Sequence, residues 1–193
     1  MYELNNKFPP TKKPSSWRLW VRIHFLSRHL KKTVKYKNVL DLGCGWGFYL
    51  RINPAAYGID YNISAIKYLS RLGYKVKRWN ILEKLPFPDS FFDFVLTHDV
   101  LEHFTFEEVK KIFENVYYVL KKDGIFMNVV PNKIGSEINL KFGLGHKHFV
   151  TPEEIIEIDK EHFTVVKTYP YPLPRFIGKY FIHNKEVVIL KKK

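Results

Sequence analysis

The chain has 193 residues, 46% hydrophobic and 26% charged, and this length and composition predict one folded domain rather than a disordered chain. A single cysteine, Cys44, excludes an internal disulfide framework and a cysteine-rich zinc site. The apolar runs are far shorter than the ~20 residues of a membrane span, and residues 1–10 lack the apolar core of a secretory signal. We therefore expect a soluble, cytoplasmic protein.

The net charge is +13, and residues 1–38 hold ten Lys and Arg residues against one acidic residue, Glu3. Such asymmetry indicates attraction to an anionic partner: nucleic acid, a phosphorylated small molecule or an acidic membrane face. A lysine-rich, solubilising surface explains the charge equally well.

The N-terminal region is predicted to be a basic arm followed by an amphipathic helix. Three prolines make residues 5–16 irregular. Ser15 or Ser16 then caps a helix that runs to about Lys32. Its apolar face consists of Leu19, Ile23, Leu26 and Leu30. Its basic face consists of Arg18, Arg22, His29 and Lys32. We assign residues 1–36 to this region and residues 37–193 to the main domain.

Strands and helices then alternate along the chain. Seven strands are predicted at 38–42, 56–60, 75–79, 92–97, 125–130, 163–168 and 186–190. Helices are predicted from Asn62 to Gly73, from Thr105 to Gly124 and from Thr151 onward, and a two-turn helix precedes Asn53-Pro54. This alternation indicates an α/β fold whose mostly parallel sheet is covered by helices on both faces.

The segment Val39–Gly47 is the most informative part of the chain. A buried strand leads into Gly43-x-Gly45-x-Gly47, where the missing Cβ atoms let the backbone approach a ligand. Asp60 closes the second strand, where a carboxylate accepts the hydroxyls of a ribose in dinucleotide folds. The nicotinamide fingerprint would need glycine at Phe48, and no P-loop Gly-Lys-Ser/Thr follows. The turn therefore suits a nucleoside without a tightly cradled phosphate.

Several motifs in order resemble a known family. Residues 39–48 resemble motif I of class I S-adenosylmethionine-dependent methyltransferases. Residues 85–103, 120–124 and 148–154 resemble the type 11 methyltransferase-domain family. The resemblance covers about residues 37–190. It implies a three-layer Rossmann-like methyltransferase fold with seven strands, the last antiparallel, with S-adenosyl-L-methionine as the cofactor and methyl transfer as the reaction.

The resemblance also implies roles for individual residues. Asp41 would help to hold the amino group of the cofactor, and the backbone at Gly43, Cys44, Gly45 and Gly47 would pass beneath its methionine and ribose. Asp60 would bind the ribose hydroxyls. The remaining contacts would be Tyr61, Asn80 and Ile81 at the adenine, and Thr97 and His98 at the methionine. The alternatives are that Asp41 and Asp60 are capping or surface carboxylates, that Tyr61 is a partly buried aromatic, and that Asn80 is a turn residue.

If the methyl acceptor is a hydroxyl or a protonated amine, the reaction needs a general base near neutral pH, and histidine titrates in that pH range. The candidates are His98, His103, His146 and His148. We favour His146 or His148, because segment 135–145 lies where this fold class commonly covers the acceptor site. His103 is equally explained by a structural hydrogen bond. Two histidines at 146 and 148 without a third ligand are weak evidence for a metal, so no metal site is predicted.

Three hypotheses for the acceptor remain open. The first is a small, acidic or phosphorylated molecule. The second is a nucleic acid gripped by residues 1–36, whose Trp17, Trp20 and Phe25 would stack on bases. The third is a non-catalytic module that binds the cofactor or an anionic membrane. The sequence leaves the methylated atom and the oligomeric state undetermined.

Overall fold

The computed structural model describes residues 28–132, 151–171 and 185–193. The helices are α1 (Arg28–Lys31), α2 (Ile63–Arg71), α3 (Phe106–Val119) and α4 (Pro152–Ile158), with 3-10 turns at Lys32–Lys35 and Leu101–His103. The strands are β1 (Val39–Leu42), β2 (Tyr57–Asp60), β3 (Lys75–Arg78), β4 (Phe92–His98), β5 (Leu120–Pro131), β6 (Phe163–Tyr171) and β7 (Lys185–Lys192). Residues 1–27, which hold the predicted arm and most of its helix, lie outside the described ranges.

The seven strands form one sheet in the order β3-β2-β1-β4-β5-β7-β6. Neighbouring strands from β3 to β5 are parallel, whereas β7 is antiparallel to both β5 and β6. The predicted α/β class and the antiparallel last strand are therefore confirmed. Because β1, β2 and β4 are parallel, their carboxyl ends meet at one edge of the sheet, where open α/β sheets bind ligands.

Both faces of the sheet are buried, as alternation along β4 shows. Val95 belongs to one apolar cluster, which includes the inner face of α3 and Ile155 of α4. Phe94 and Leu96 belong to a second cluster, which includes Leu69 of α2 and Leu30 of α1. Side chains on a strand alternate between the two faces, so the helices cover the sheet on both sides.

Local capping signals fix the ends of three helices. The Asn62 side chain accepts hydrogen bonds from two backbone amides of α2, and Gly73, at φ +82°, follows its C-terminus. Thr105 and Thr151 form capping boxes with Glu108 and Glu154 at the starts of α3 and α4. All three starts agree with the prediction, since these bonds join residues two or three positions apart.

One predicted helix end was wrong. Helix α3 ends at Val119 rather than Gly124, because Leu120 pairs with Phe92 as the start of β5. The left-handed residue that follows is Asp123, at φ 60°.

The predicted two-turn helix before Asn53-Pro54 is absent from this described segment. It is replaced by hydrogen-bonded turns, in which Arg51 N–H donates to Gly47 O at 3.2 Å and Asn53 N–H to Tyr49 O at 2.9 Å. The residue before proline disfavours the α conformation, so the turns do not extend into a helix.

The described part of the N-terminal region packs onto the domain. Leu30 is fully buried, and the Thr33 and Tyr49 hydroxyl oxygens are 2.6 Å apart in a hydrogen bond. Tyr36 stacks on Phe94 with ring centroids 4.9 Å apart. Within the described ranges, no helix has the length and apolar character needed to cross a bilayer.

Candidate active site

The glycine turn follows β1 directly and is tied to β2. The backbone amides of Gly43 and Cys44 both donate to Ile59 O, at 2.9 and 3.0 Å. Gly43, Gly45 and Gly47 have φ values of +80°, +49° and +77°. This left-handed backbone conformation is costly for residues other than glycine, so the turn requires its three glycines.

The three glycines differ in what surrounds them. A Cβ at Gly43 would lie 2.6 Å from Val100 Cγ2, and one at Gly47 would lie 2.5 Å from Leu69 Cδ2. A Cβ at Gly45 would meet no heavy atom within 4 Å. Packing therefore requires glycine at 43 and 47, whereas the backbone of Gly45 borders open space that a ligand can enter.

The Cys44 side chain turns away from that space into the protein. It is buried, and a Cβ at Gly58 of β2 would lie 3.0 Å from Cys44 Sγ. Burial raises the pKa of the thiol well above its ordinary value, and the charges of Asp41 and Asp60 raise it further. Cys44 is therefore an unreactive packing residue, and only its backbone lies in the turn.

Asp60 is held at the end of β2 by the turn itself. Its Oδ2 accepts a hydrogen bond from Gly45 N–H at 2.7 Å, and its Oδ1 accepts one from Asn62 N–H at 2.7 Å. Burial raises the pKa of Asp60, while backbone hydrogen bonds from Asn62, Gly45 and Tyr61 oppose that rise. The two oxygens are thus fixed in position beside the open space at Gly45.

Asp41 lies one residue before the end of β1 and is 3% exposed. Burial, and then the charge of Asp60, raise its pKa to about 8. Asp41 is therefore mostly protonated at neutral pH, beside a carboxylate on the neighbouring strand.

Residues predicted to contact an adenine lie beside Asp60. Tyr61 is half-buried, and the Arg78 guanidinium carbon is 4.6 Å from its ring centroid. Asn80 forms a local turn in which its Oδ1 accepts from Leu82 N–H at 3.1 Å, and Ile81 is buried. Asn80 therefore acts as a turn residue here, with one lone pair of its carbonyl oxygen already used.

The carboxyl end of β4 carries Thr97 and His98. Thr97 is fully buried, and its hydroxyl donates to Asn128 Oδ1 on β5 at 2.7 Å. The His98 ring lies 5.3 Å from the Phe48 ring, centroid to centroid, and its Nδ1 is 3.5 Å from Asp99 Oδ2. His98, with 13% of its side chain exposed, therefore stands between the glycine turn and Asp99.

Asp99 adopts a left-handed conformation, φ 57°, which costs a non-glycine residue about 1–2 kcal/mol. Its Oδ1 is 2.5 Å from Lys185 Nζ, at the start of β7. Burial alone would raise the pKa of Asp99, but Lys185 and then His98 lower it well below its ordinary value. Asp99 is thus an ionised group held between two basic side chains.

Glu102 lies in the 3-10 turn after β4 and is 1% exposed. In the described part of the chain neither of its carboxyl oxygens has a hydrogen-bond partner. Burial, and then the charge of Asp99, raise its pKa to about 8. The sequence gives no local signal for the ion pair between Asp99 and Lys185, because Lys185 reaches Asp99 only through the pairing of β7 with β5.

Of the other three candidate bases, His103 lies within the described residues. His103 ends the 3-10 turn and is half-buried, with its backbone amide donating to Val100 O at 3.1 Å. His146 and His148 lie outside the described residues. Across residues 28–132, 151–171 and 185–193, no group of three or more His, Cys, Asp or Glu side chains is arranged to hold a metal.

The site and the sheet together define a class of protein. A seven-stranded sheet in this order, with a glycine turn after β1 and an acidic residue at the end of β2, is the Rossmann-like methyltransferase fold. A structural relative with this fold is an S-adenosylmethionine-dependent methyltransferase from Archaeoglobus fulgidus. It superposes with a TM-score of 0.72 over 92% of this chain and 100% of that one, at 22% identity.

Sequence comparison finds a matching domain and relatives. Residues 40–128 match the family described as a methyltransferase domain. A protein of Methanocaldococcus jannaschii is 34% identical over 148 residues, which are 73% of this chain and 62% of that protein. The tRNA (carboxymethyluridine(34)-5-O)-methyltransferase of Schizosaccharomyces pombe is 37% identical over 70 residues, 35% of this chain and 30% of that enzyme. The chain thus spans less than two thirds of the length of either relative.

The chain is thus similar to a methyltransferase domain over residues 40–128 and shares the fold of an S-adenosylmethionine-dependent methyltransferase.

Proposed function

We propose that this domain transfers the methyl group of S-adenosylmethionine to a nucleophilic oxygen, nitrogen or carbon atom of a small acceptor. The observation that carries the proposal is the link between Gly45 and Asp60. A glycine bordering open space donates a 2.7 Å hydrogen bond to a carboxylate at the end of the adjacent strand. This arrangement suits a nucleoside, because the ribose offers two hydroxyl donors to one acidic group.

The surrounding residues fit the cofactor. The backbone amides of Gly45, Asn62 and Tyr61 donate to Asp60, and a carboxylate has about four lone-pair sites, so it can still accept a hydrogen bond from a ribose hydroxyl. The backbone at Gly43, Cys44, Gly45 and Gly47 would lie beneath the ribose and methionine, and Asp41 would hold the amino group. Tyr61 and Ile81 would contact the adenine. Asn80, Thr97 and His98 would complete the site, Thr97 through its backbone because its hydroxyl is used by Asn128.

When bound, the cofactor supplies an electrophilic methyl group on a positively charged sulfur that leaves as a neutral thioether. The protein's contribution is then alignment, since holding two reactants in line removes most of the entropic barrier. For a hydroxyl or ammonium acceptor, one proton must also be removed. Among the described histidines, His98 is the best placed to take it. Its Nδ1 faces Asp99, which would orient the ring and stabilise a positive charge on it. His103, His146 and His148 remain predictions.

The burial of the β4 end supports a small acceptor. The His98 side chain is 13% exposed and Glu102 is 1% exposed, so a bulky group has little access to this part of the site. The chain's charge of +13 favours an anionic molecule over a cationic one.

A second candidate is methyl transfer to RNA. One observation favours it: the matching enzyme of Schizosaccharomyces pombe is a tRNA methyltransferase. Residues 1–27, most of the predicted N-terminal region 1–36, lie outside the described ranges, so the part of that region in RNA binding remains a prediction.

The experiment that tests these proposals uses methyl-labelled S-adenosylmethionine and a cell extract separated into small-molecule, RNA and protein fractions. At a cofactor concentration below saturation, we expect label in the small-molecule fraction with the native chain and much less label with Asp60→Ala. Label in the RNA fraction would support the second candidate instead. If S-adenosylhomocysteine binds but label enters no fraction, the proposed activity is wrong.

A further inference from the structure

The segment from Tyr61 to Trp79, which forms α2 and the edge strand β3, carries only positive charge. It contains five basic residues and no aspartate or glutamate. All five are exposed on the surface. We call this surface the basic edge, and it consists of Lys67, Arg71, Lys75, Lys77 and Arg78.

The cations of the basic edge are not neutralised by neighbouring carboxylates. In the described part of the chain, none of the five lies within 4.0 Å of an acidic oxygen. By contrast, Lys110 on α3 is 3.2 Å from Glu107, and Lys160 is 2.8 Å from Glu157. The positive charge of this edge is therefore available to an external anion.

The basic edge lies at one side of the sheet. Strand β3 is an edge strand, and β6 is the other edge. The strands at that other edge, β6 and β7, carry four lysines against Glu186. Both edges are therefore net positive, and the basic edge differs in that its segment contains no aspartate or glutamate.

Three of the cationic groups are held over aromatic rings. Lys75 Nζ lies 5.1 Å from the Tyr57 ring centroid, Lys77 Nζ 4.8 Å from that of Trp79, and the Arg78 guanidinium 4.6 Å from that of Tyr61. Such contacts are favourable by ~0.5–1 kcal/mol at exposed sites and limit the motion of long side chains. Lys75 and Lys77 are also two residues apart on one strand, so their Cα atoms are about 6.6 Å apart along it. The basic edge is thus a row of partly preorganised cations.

We propose that the basic edge binds the phosphate backbone of single-stranded RNA. Phosphates are the anions that rows of Lys and Arg recognise without sequence specificity. Unpaired bases also stack on arginine guanidinium planes, and the basic edge contains Arg71 and Arg78. This inference goes beyond the proposed function, since it requires no methyl transfer to RNA. In the sheet order, β2 and β1 separate β3 from β4, so the RNA surface is distinct from the buried acceptor end.

Two other uses of this surface predict different behaviour. Lysines on an edge strand also prevent that strand from pairing with another sheet. If this is their only role, the chain does not bind nucleic acid. Ile63 and Leu72 of the same segment are 46% and 53% exposed, and apolar side chains among lysines also suit an anionic membrane.

The test measures the affinity of the full chain for a short fluorescent uridine oligomer at several salt concentrations. Lys75→Gln with Lys77→Gln is compared with a control of equal charge change, Lys111→Gln with Lys122→Gln, at exposed positions outside the basic edge. Each phosphate contact contributes about −0.7 to the slope of log affinity against log salt. We therefore expect the test pair to lessen the slope by about 1.4 and the affinity at 0.1 M salt by about 25-fold. The control should change neither.

The outcomes separate this proposal from the others. Equal slopes for the test pair and the control would overturn it, as would tighter binding to vesicles of anionic lipid than to the oligomer. S-adenosylhomocysteine binding, measured on the same variants, should be unchanged, because neither lysine belongs to the proposed cofactor site. If the test pair binds RNA more weakly but still binds the cofactor product, the result supports RNA binding by the basic edge. If the native chain does not bind S-adenosylhomocysteine, that result contradicts only the proposed function.

Discussion

Asp41 and Asp60 are carboxyl groups near the ends of adjacent parallel strands, and the charge of one raises the pKa of the other. Burial and then Asp60 raise the pKa of Asp41 to about 8, whereas Asp60 keeps three backbone hydrogen bonds that favour its charged form. At neutral pH the pair therefore carries about one negative charge, on Asp60. A cationic ligand beside Asp41 would change this distribution.

The first prediction is that cofactor binding releases a proton. If Asp41 holds the amino group of S-adenosylhomocysteine, that positive charge favours the ionised carboxylate. At pH 7 the native chain should release ~1 proton on binding, because Asp41 starts mostly protonated. Calorimetry in two buffers of different ionisation enthalpy measures the release, and Asp41→Asn should abolish it. Identical enthalpies for the native chain in both buffers would remove Asp41 from this role.

The second prediction concerns Asp60. Its replacement by alanine removes the group to which the Gly45 and Asn62 amides donate and which we assign to the ribose hydroxyls. Hydrogen bonds to charged groups contribute ~1.5–3 kcal/mol, so Asp60→Ala should weaken S-adenosylhomocysteine binding by about 10- to 100-fold. The control is Asp89→Ala, at an exposed carboxylate. Equal affinity in the two variants would contradict the assignment of Asp60 to the cofactor site.

Local hydrogen bonds made much of the fold predictable from the sequence. The caps at Asn62, Thr105 and Thr151 each join residues two or three positions apart, so a short motif contains the whole interaction. The end of α3 is different. Leu120 leaves the helix because it pairs with Phe92, 28 residues earlier, and helical periodicity alone cannot show that competition.

In the candidate site, too, one part could be predicted from the sequence and another could not. The motif placed Gly45 beside Asp60, and the structure joins them by a hydrogen bond. The ion pair between Asp99 and Lys185 was missed, because those residues are 86 positions apart. It depends on β7 pairing with β5, so that Lys185 lies opposite Pro131. The sequence thus indicated that Gly45 and Asp60 lie together, but it did not indicate the charges at the end of β4.

The third prediction separates the two kinds of glycine in the turn. Gly45→Ala adds a Cβ to open space, so its cost in stability is limited to the left-handed backbone, ~1–2 kcal/mol. Gly47→Ala adds the same strain and places Cβ 2.5 Å from Leu69 Cδ2, and overpacking adds about 1–3 kcal/mol. Urea denaturation should therefore show Gly47→Ala to be the less stable variant. Calorimetry should show that Gly45→Ala, although better folded, loses S-adenosylhomocysteine binding. If the folded Gly45→Ala protein binds as tightly as the native chain, the open space at Gly45 is not the cofactor seat.

The fourth prediction follows from Glu102, whose pKa rises from an ordinary 4.5 to about 8 in the folded protein because of burial and the charge of Asp99. Between these two values the folded state binds a proton that the unfolded state does not hold. The contribution of Glu102 to stability is therefore fully present below about pH 4.5 and is lost as pH rises through about 8. Glutamine has the same shape and stays neutral, so Glu102→Gln should avoid this loss. Relative to the native chain, its free energy of unfolding should rise between pH 5 and 8 by up to about 1.4 kcal/mol per pH unit.

Urea denaturation at a series of pH values measures this difference for Glu102. Asp41 titrates in the same range but is present in both proteins, so it cancels. Among the groups near Glu102, Asp99 raises its pKa and Lys185 lowers it, and both are retained in the variant. Glu114→Gln on α3 is the control, because Glu114 is exposed and its replacement should give a curve parallel to that of the native chain. A parallel curve for Glu102→Gln as well would contradict the prediction, because it would show that folding does not raise the pKa of Glu102.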